Sequence, residues 1–310
     1  MSLQEPNHER ALEALEWAAK EAEGAAPGAP PELVLAEDYR RAAELVLPDL
    51  RVRLDRVMMA TDAERGLDAL LTCGALSALL PPVKDMVGFS DGEWRHKDVW
   101  KHTKQVVRQA TAKLEVRWAA LLHDIGKVKT RSIAPDGEVH FFGHAEVGAR
   151  MFDRMERRVS LFRGEPSLRD AVRFLILHHL RASQYSADWT DSAVRRFGRE
   201  MGDKLPDLLC LSRADITTKR PERRRKGLQQ IEDLALRVAS IAELDAREPP
   251  LPSGIGNEIM RVFGLPPSKR IGDIKSALEQ AVAAGEVPPH EPPETYLAFL
   301  EQNRARFGLG

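Results

Sequence analysis

The sequence predicts an all-α fold carrying one small β-hairpin. Apolar residues recur at helical spacing along most of the chain, in segments punctuated by proline and glycine. One stretch breaks that period: Thr130-Arg131-Ser132-Ile133 and Glu138-Val139-His140-Phe141-Phe142 flank Ala134-Pro135-Asp136-Gly137, a turn between two short apolar runs. At 310 residues and 43% hydrophobic content the chain can bury a sizeable core.

The elements follow in order. Residues from about Asn7 to Glu23 read as an Ala- and Glu-rich amphipathic helix, and Gly24-Ala25-Ala26-Pro27-Gly28-Ala29-Pro30-Pro31 ends it. Short helices are expected from Glu32 to Pro82, stopped at Pro48 and at Pro81-Pro82. Within them, Glu37-Asp38-Tyr39-Arg40-Arg41 reads as a solvated helix face with i,i+3 and i,i+4 pairs. Further helices are expected over 98–112, 114–125, 144–159, 167–179, 190–201, 206–217 and 221–244. A linker-like stretch, Arg247 to Gly254, precedes two or three short helices. The expected division is an N-terminal helix and linker (1–31), a small helical subdomain (32–87), a histidine-rich helical domain (88–246) and a helical tail (247–310).

Charge and cysteine usage restrict the function. With 46 basic and 47 acidic residues the net charge is −1, so no global field draws the chain to nucleic acid or an anionic membrane, and any such contact must be local. Cys73 and Cys210 have no CxxC spacing and sit in apolar, helix-like settings, as reduced core residues do. No apolar run approaches the ~20 residues that span a bilayer, and Met1-Ser2-Leu3-Gln4-Glu5 lacks a signal-peptide pattern; a cytoplasmic location is expected.

The histidines concentrate in one region: His96, His102, His123, His140, His144, His178 and His179 are seven of the nine. Ala119-Ala120-Leu121-Leu122 delivers His123-Asp124 into surroundings poor in water, where such a pair needs a hydrogen-bonding partner or a metal ion. His102 lies within the preceding helix, His144 starts another, His178-His179 ends the apolar run Ala171 to Leu177, and Asp215 follows Leu208-Leu209-Cys210-Leu211. Imidazoles and carboxylates from separate helices are what a catalytic metal site requires. Neighbouring helical residues point ~100° apart, so an ion held by both His123 and Asp124 sits over the flank between them, and Asp124 can bridge two ions.

The order His102, His123-Asp124, Asp215 resembles the H…HD…D signature of the HD superfamily of metal-dependent phosphohydrolases, and His144 with His178-His179 resembles the longer version in its two-metal members. Residues Trp94 to Thr103, His123-Asp124-Ile125-Gly126-Lys127 with Thr130-Arg131, and His140-Phe141-Phe142-Gly143-His144-Ala145-Glu146-Val147-Gly148-Ala149 are similar to the HD region of bacterial tRNA nucleotidyltransferases, the CCA-adding enzymes. Trp189 to Phe197, Ile271 to Val287, and Leu54 to Pro82 with Arg65-Gly66-Leu67 extend the likeness to roughly residues 50 to 290.

This resemblance implies an HD helical bundle with helical extensions, and one or two divalent ions among Fe, Mn, Mg, Co, Ni and Zn. One ion would be held by His102, His123, Asp124 and Asp215, the second by Asp124, His144 and His178, with His179 a ligand or an orienting neighbour. It implies hydrolysis by metal-activated water of a phosphate ester of a nucleotide, a 2′,3′-cyclic phosphate or an RNA end. Lys127 and Arg131 are candidates for contacting the phosphate, against plainer readings as a helix C-terminal cation and a loop charge. Neutral imidazole ligands imply activity that falls as pH drops through ~6. His140, His96 and His290 are left out of the ligand set.

A nucleotidyltransferase head needs paired carboxylates on a strand and a glycine-rich phosphate cradle, and neither pattern occurs here. The chain is expected not to add CCA alone. Lys219-Arg220-Pro221-Glu222-Arg223-Arg224-Arg225-Lys226 holds six basic residues in eight, either a tRNA contact or a solvated helix start. The alternative to an enzyme is a non-catalytic RNA-binding body acting with a separate partner.

Overall fold

A computed structural model of the chain describes residues 7–25, 27–31, 34–90, 98–247 and 249–309. The sequence segment Trp94 to Lys97, including His96, lies outside the described residues. The fold is all-α with a single two-stranded antiparallel sheet among the described residues. Two compact units are distinguished: residues 1–184 with 204–231, and residues 185–203 with 232–310.

The first unit begins with α1 (His8–Ala22), α2 (Ala36–Leu45), α3 (Leu47–Met59), α4 (Ala63–Thr72) and two short pieces, α5 (Ala75–Leu79) and α6 (Pro81–Lys84). Asn7 caps α1 by accepting the Glu9 N–H at 2.9 Å. The buried face of α1 is Ala11, Ala14, Leu15, Ala18, Ala19 and Ala22, small enough for α3 and α4 to lie close. At Gly66 on α4 a Cβ would meet Ala22 Cβ at 2.5 Å and Val57 Cγ1 at 2.8 Å, so this crossing needs glycine. The solvated reading of Glu37 to Arg41 is corrected by the structure. Glu37, Arg40 and Arg41 are exposed, but Asp38 and Tyr39 are buried: Asp38 accepts the N–H groups of Asn7 (2.6 Å) and Leu35 (2.9 Å), and the Tyr39 hydroxyl donates to the Cys73 carbonyl at 2.8 Å. The acid caps backbone donors, a role that charge pairing along one helix does not reveal.

A buried network ties these helices to the rest of the unit. Arg51 reaches Asp55 (2.8 Å), the Leu161 carbonyl (3.1 Å) and Glu165 (3.2 Å), with its guanidinium over the rings of Trp118 and Phe162. Asp55 also accepts the Trp118 indole N–H at 2.7 Å. Arg117, buried, donates to the carbonyls of Ala110 and Met58, both at 2.9 Å.

Next come α7 (Val99–Gln109), α8 (Leu114–Leu122), α9 (Lys127–Thr130), β1 (Ser132–Ile133), β2 (Val139–His140), α10 (His144–Val159) and α11 (Pro166–His178). Asp98 caps α7 through the Lys101 N–H at 3.0 Å. Every residue of α8 from Val116 to Leu122 is buried, as suits a helix surrounded by α3, α7, α11 and the later α13. The hairpin pairs Ser132 with His140 and Ile133 with Val139. After α12 (Asp191–Met201) come α13 (Leu205–Ala214) and the 27-residue α14 (Pro221–Arg247), whose residues to Ile231 belong to the first unit.

The second unit comprises α12, the rest of α14, α15 (Ile255–Phe263), α16 (Lys269–Ala283) and α17 (Pro293–Gln302). Ile255, Ile259, Ile274, Leu278, Tyr296 and Leu300 form its core. The buried Tyr296 hydroxyl lies 2.9 Å from the Pro250 and Pro288 carbonyls and accepts the Glu291 N–H at 3.0 Å, pinning the proline-rich loops.

Candidate metal centre

The residues that converge belong to the first unit and, His102 apart, come from helix ends. His102 stands mid-α7; His123 and Asp124 directly follow α8; His144 opens α10; His179 directly follows α11; Asp215 directly follows α13. A helix C-terminus leaves carbonyls without intrahelical partners, and those carbonyls orient the imidazoles. His123 Nδ1 donates to the Ala120 carbonyl at 2.9 Å, and His179 Nδ1 to the Ile176 carbonyl at 2.8 Å. His144 Nδ1 donates to the Phe141 carbonyl at 2.8 Å. With each Nδ1 serving as donor to a carbonyl, Nε2 is the nitrogen each ring turns inward.

Asp124 is the hub. Its Oδ2 lies 3.2 Å from His123 Nε2, 3.5 Å from His102 Nε2 and 2.7 Å from Lys127 Nζ. On the other side, Oδ1 lies 3.5 Å from His144 Nε2 and 3.9 Å from His179 Nε2. Asp215 Oδ1 closes the first side, 2.9 Å from His102 Nε2 and 3.5 Å from His123 Nε2. Two groups thus share one carboxylate: His102, His123 and Asp124, and Asp124, His144 and His179, with ligand atoms in each group within 4.8 Å of one another.

Electrostatics reflects this crowding. Burial depresses the His123 imidazole, but the Asp124 and Asp215 carboxylates outweigh it and raise it to about 10. Burial pushes Asp124 up, yet His123, Lys127 and His102 hold it well below the usual carboxylate range. Asp215 is likewise held low against burial by the neighbouring His102 and His123 imidazoles. Burial lowers His144, and burial with the charge at His123 lowers His179 to about 4.

The donor set fits divalent cations. His123 Nε2 is buried and has no hydrogen-bond partner, although it faces two carboxylates. His144 Nε2 and His179 Nε2 face each other at 3.1 Å, an arrangement of two acceptors that repels unless a cation lies between them. The floor is nearly dry, with Asp124 1% exposed, while a third of the Asp215 side chain reaches solvent and leaves an approach for substrate.

Other expected residues fall as follows. His178, one residue before His179, is in neither of these groups, and its ring centroid lies 4.3 Å from that of Phe174. Lys127 joins the site through Asp124 and also lies 5.6 Å from the Phe141 ring. The Arg131 guanidinium sits 5.9 Å from the Phe89 ring. His140 stacks on Phe142.

Three contributors escape a reading for ligand types. Thr217 Oγ1 lies 2.9 Å from His102 Nδ1 and orients that ring, as a carbonyl does for the other three. At Gly126 a Cβ would fall on the His144 carbonyl oxygen and 2.8 Å from the Gly148 nitrogen, so its absence lets the start of α10 lie against the His123-Asp124 turn. Gly148 is the other half of this approach. Both glycines stand inside the HD-like motifs, and that spacing is the signal they leave in the sequence.

Residues 98–220 match the HD domain family. The chain is 34% identical over 261 residues to the A-adding tRNA nucleotidyltransferase of Deinococcus radiodurans, covering 82% of this chain and 57% of that protein. It is 32% identical over 267 residues to the CC-adding tRNA nucleotidyltransferase of Thermus thermophilus, with the same shares covered. A shorter match, 34% over 111 residues, covers 34% of this chain and 26% of the Multifunctional CCA protein of Ectopseudomonas mendocina. The chain spans somewhat more than half the length of the first two relatives. No helix among the described residues is long and apolar enough to cross a membrane. The chain carries an HD domain at residues 98–220, set within a longer stretch that resembles the corresponding part of bacterial tRNA nucleotidyltransferases.

Proposed function

We propose that the protein is a metal-dependent phosphohydrolase, of the phosphatase or 2′,3′-cyclic phosphodiesterase type, acting on a nucleotide or an RNA end. The observation that carries this reading is the inward convergence of four imidazole Nε2 atoms and two carboxylates around Asp124. His102, His123, Asp124 and Asp215 would hold one ion, and Asp124, His144 and His179 a second; the choice of His179 over His178 rests on its 3.1 Å approach to His144. Bound divalent ions supply Lewis-acid polarisation of a phosphate and a water made acidic enough to ionise near neutral pH.

The chain's own residues do the rest. Lys127 carries its ammonium beside Asp124 and can turn it to a non-bridging phosphate oxygen, adding a charge-assisted hydrogen bond. Arg131, held against Phe89, stands ready to add a second cation at the loop. The backbone carbonyls of Ala120, Phe141 and Ile176 keep three imidazoles in the tautomer that ligation requires.

A second reading has its own support. The relatives are named for tRNA, and a cavity of about 580 Å³ is lined in part by Lys219, Arg224 and Arg225 of the basic cluster Lys219–Lys226. In that reading the chain binds tRNA without catalysis and acts with a separate partner. A panel of phosphate mono- and diesters, including 2′,3′-cyclic nucleotides, assayed with each of Mg, Mn, Fe, Co, Ni and Zn, separates the two. Metal-dependent turnover by the wild type, lost with chelator, is the expected result. Metal-free, inactive protein that binds tRNA in a salt-sensitive way would establish the second reading instead.

A further inference from the structure

We propose that His140 and Phe142 form a stacking platform for the base of the nucleotide substrate, an inference that rests on the hydrolase reading above. Phe141 turns inward, 5.6 Å from Lys127 Nζ and 6.4 Å edge-on to Phe89. Its neighbours His140 and Phe142 stack on each other, with ring centroids 4.9 Å apart and planes 17° from parallel.

Phe142 is 77% exposed, the most exposed large hydrophobic side chain among the described residues. Leaving a phenylalanine in water forgoes roughly 1.5–3 kcal/mol of burial, so this ring contributes nothing comparable to the fold. One face of the ring is covered by the His140 imidazole, and most of the rest is open to solvent. A flat π surface backed by a second ring, in the turn just past a two-residue strand, is suited to a planar base.

The phosphate end fixes which planar ligand this is. Phe142 stands two residues before His144, so their Cα atoms are at most roughly 7.6 Å apart. Lys127 touches Asp124 on one side and the ring of Phe141 on the other, and Arg131 begins the same hairpin. Cations and metal-ligand groups at one end and an open aromatic face at the other match a nucleoside phosphate whose base is unstacked. A mononucleotide or a single-stranded RNA end meets that description; a sugar phosphate lacks the base, and a duplex end keeps its base stacked.

The test compares kcat/KM for an adenosine nucleotide and for ribose phosphate. Phe142→Ala should lower the nucleotide-to-ribose-phosphate ratio by about fivefold to a hundredfold, the loss of one stacked base, and Phe142→Tyr should restore it. An unchanged ratio overturns the platform. A second arm needs no turnover: in Phe142→Trp, the fluorescence in excess of the wild type should be quenched by the adenosine nucleotide and not by ribose phosphate. If the wild type hydrolyses no ester, the hydrolase reading fails and this arm decides alone, selective quenching supporting base stacking and its absence overturning it.

Discussion

The Nε2 atoms of His144 and His179 lie 3.1 Å apart, while the Nδ1 of each ring donates to a main-chain carbonyl. Neither nitrogen has a proton to offer the other in that tautomer, and on the proposed reading the pair would hold a cation shared with Asp124 Oδ1.

His179 and His178 are therefore not equivalent. His179→Ala should remove one of two bound ions per chain, whereas His178→Ala, altering a ring packed on Phe174, should leave the metal content unchanged. Elemental analysis of the purified variants checks this. Equal losses in both would contradict the assignment of His179.

The two glycines at the α10 approach predict opposite signs. Gly126→Ala places a methyl on backbone atoms that cannot move aside alone, and should cost about 3 kcal/mol with a parallel loss of metal affinity. At Gly148 the nearest atoms to a new Cβ are 3.4 Å to Ile176 Cγ2 and 3.5 Å to Gly126 N, ordinary contacts in mid-helix. Gly148→Ala should be neutral or stabilise by up to about 1 kcal/mol through helix propensity. Urea unfolding midpoints distinguish the two.

Asp55→Ala should destabilise the first unit by about 3 kcal/mol. It leaves the buried Arg51 guanidinium short of its partner and the Trp118 N–H without an acceptor. A denaturation curve coincident with the wild type would show that Glu165 and the Leu161 carbonyl suffice for Arg51.

The imidazoles split in their pH dependence. His179, lowered to about 4 by burial and by His123, favours the fold in its neutral form; its contribution is complete above the unfolded value of ~6.5 and is lost as pH falls through about 4. His123, raised to about 10, has the opposite sign: its contribution is complete below ~6.5 and lost as pH rises through about 10. Metal binding at pH 7.5 must therefore expel a proton from His123 but none from His179. Calorimetry in buffers of different ionisation enthalpy should read about one proton released for ions entering the His102–His123 side. Binding there without proton release would contradict the ionic pairing.

Much of this architecture was legible in the residues, because helical periodicity and proline breaks report on local structure. The hairpin emerged from Pro135-Asp136-Gly137, and α10 starts at His144, just after Gly143 in its left-handed conformation, φ 71°. Adjacent residues are harder to resolve. His178 and His179 both end an apolar run, and only the exit angle of α11 decides which ring turns inward. Asp38 and Tyr39 have the composition of a surface and are buried because Asn7, Leu35 and Cys73 need their polar atoms. Thr217 and Gly126 act through a hydrogen bond and through an absent methyl, neither of which a search for ligand-type residues detects.

The central claim is that Asp124 joins two metal positions into one hydrolytic site. The most direct measurement is metal content per chain together with hydrolysis of a 2′,3′-cyclic nucleotide, for the wild type and Asp124→Ala at matched folded concentration. Two ions and metal-dependent turnover in the wild type, with both ions and activity lost in the variant, is the predicted result. Retention of the wild-type metal content and rate by Asp124→Ala would contradict it.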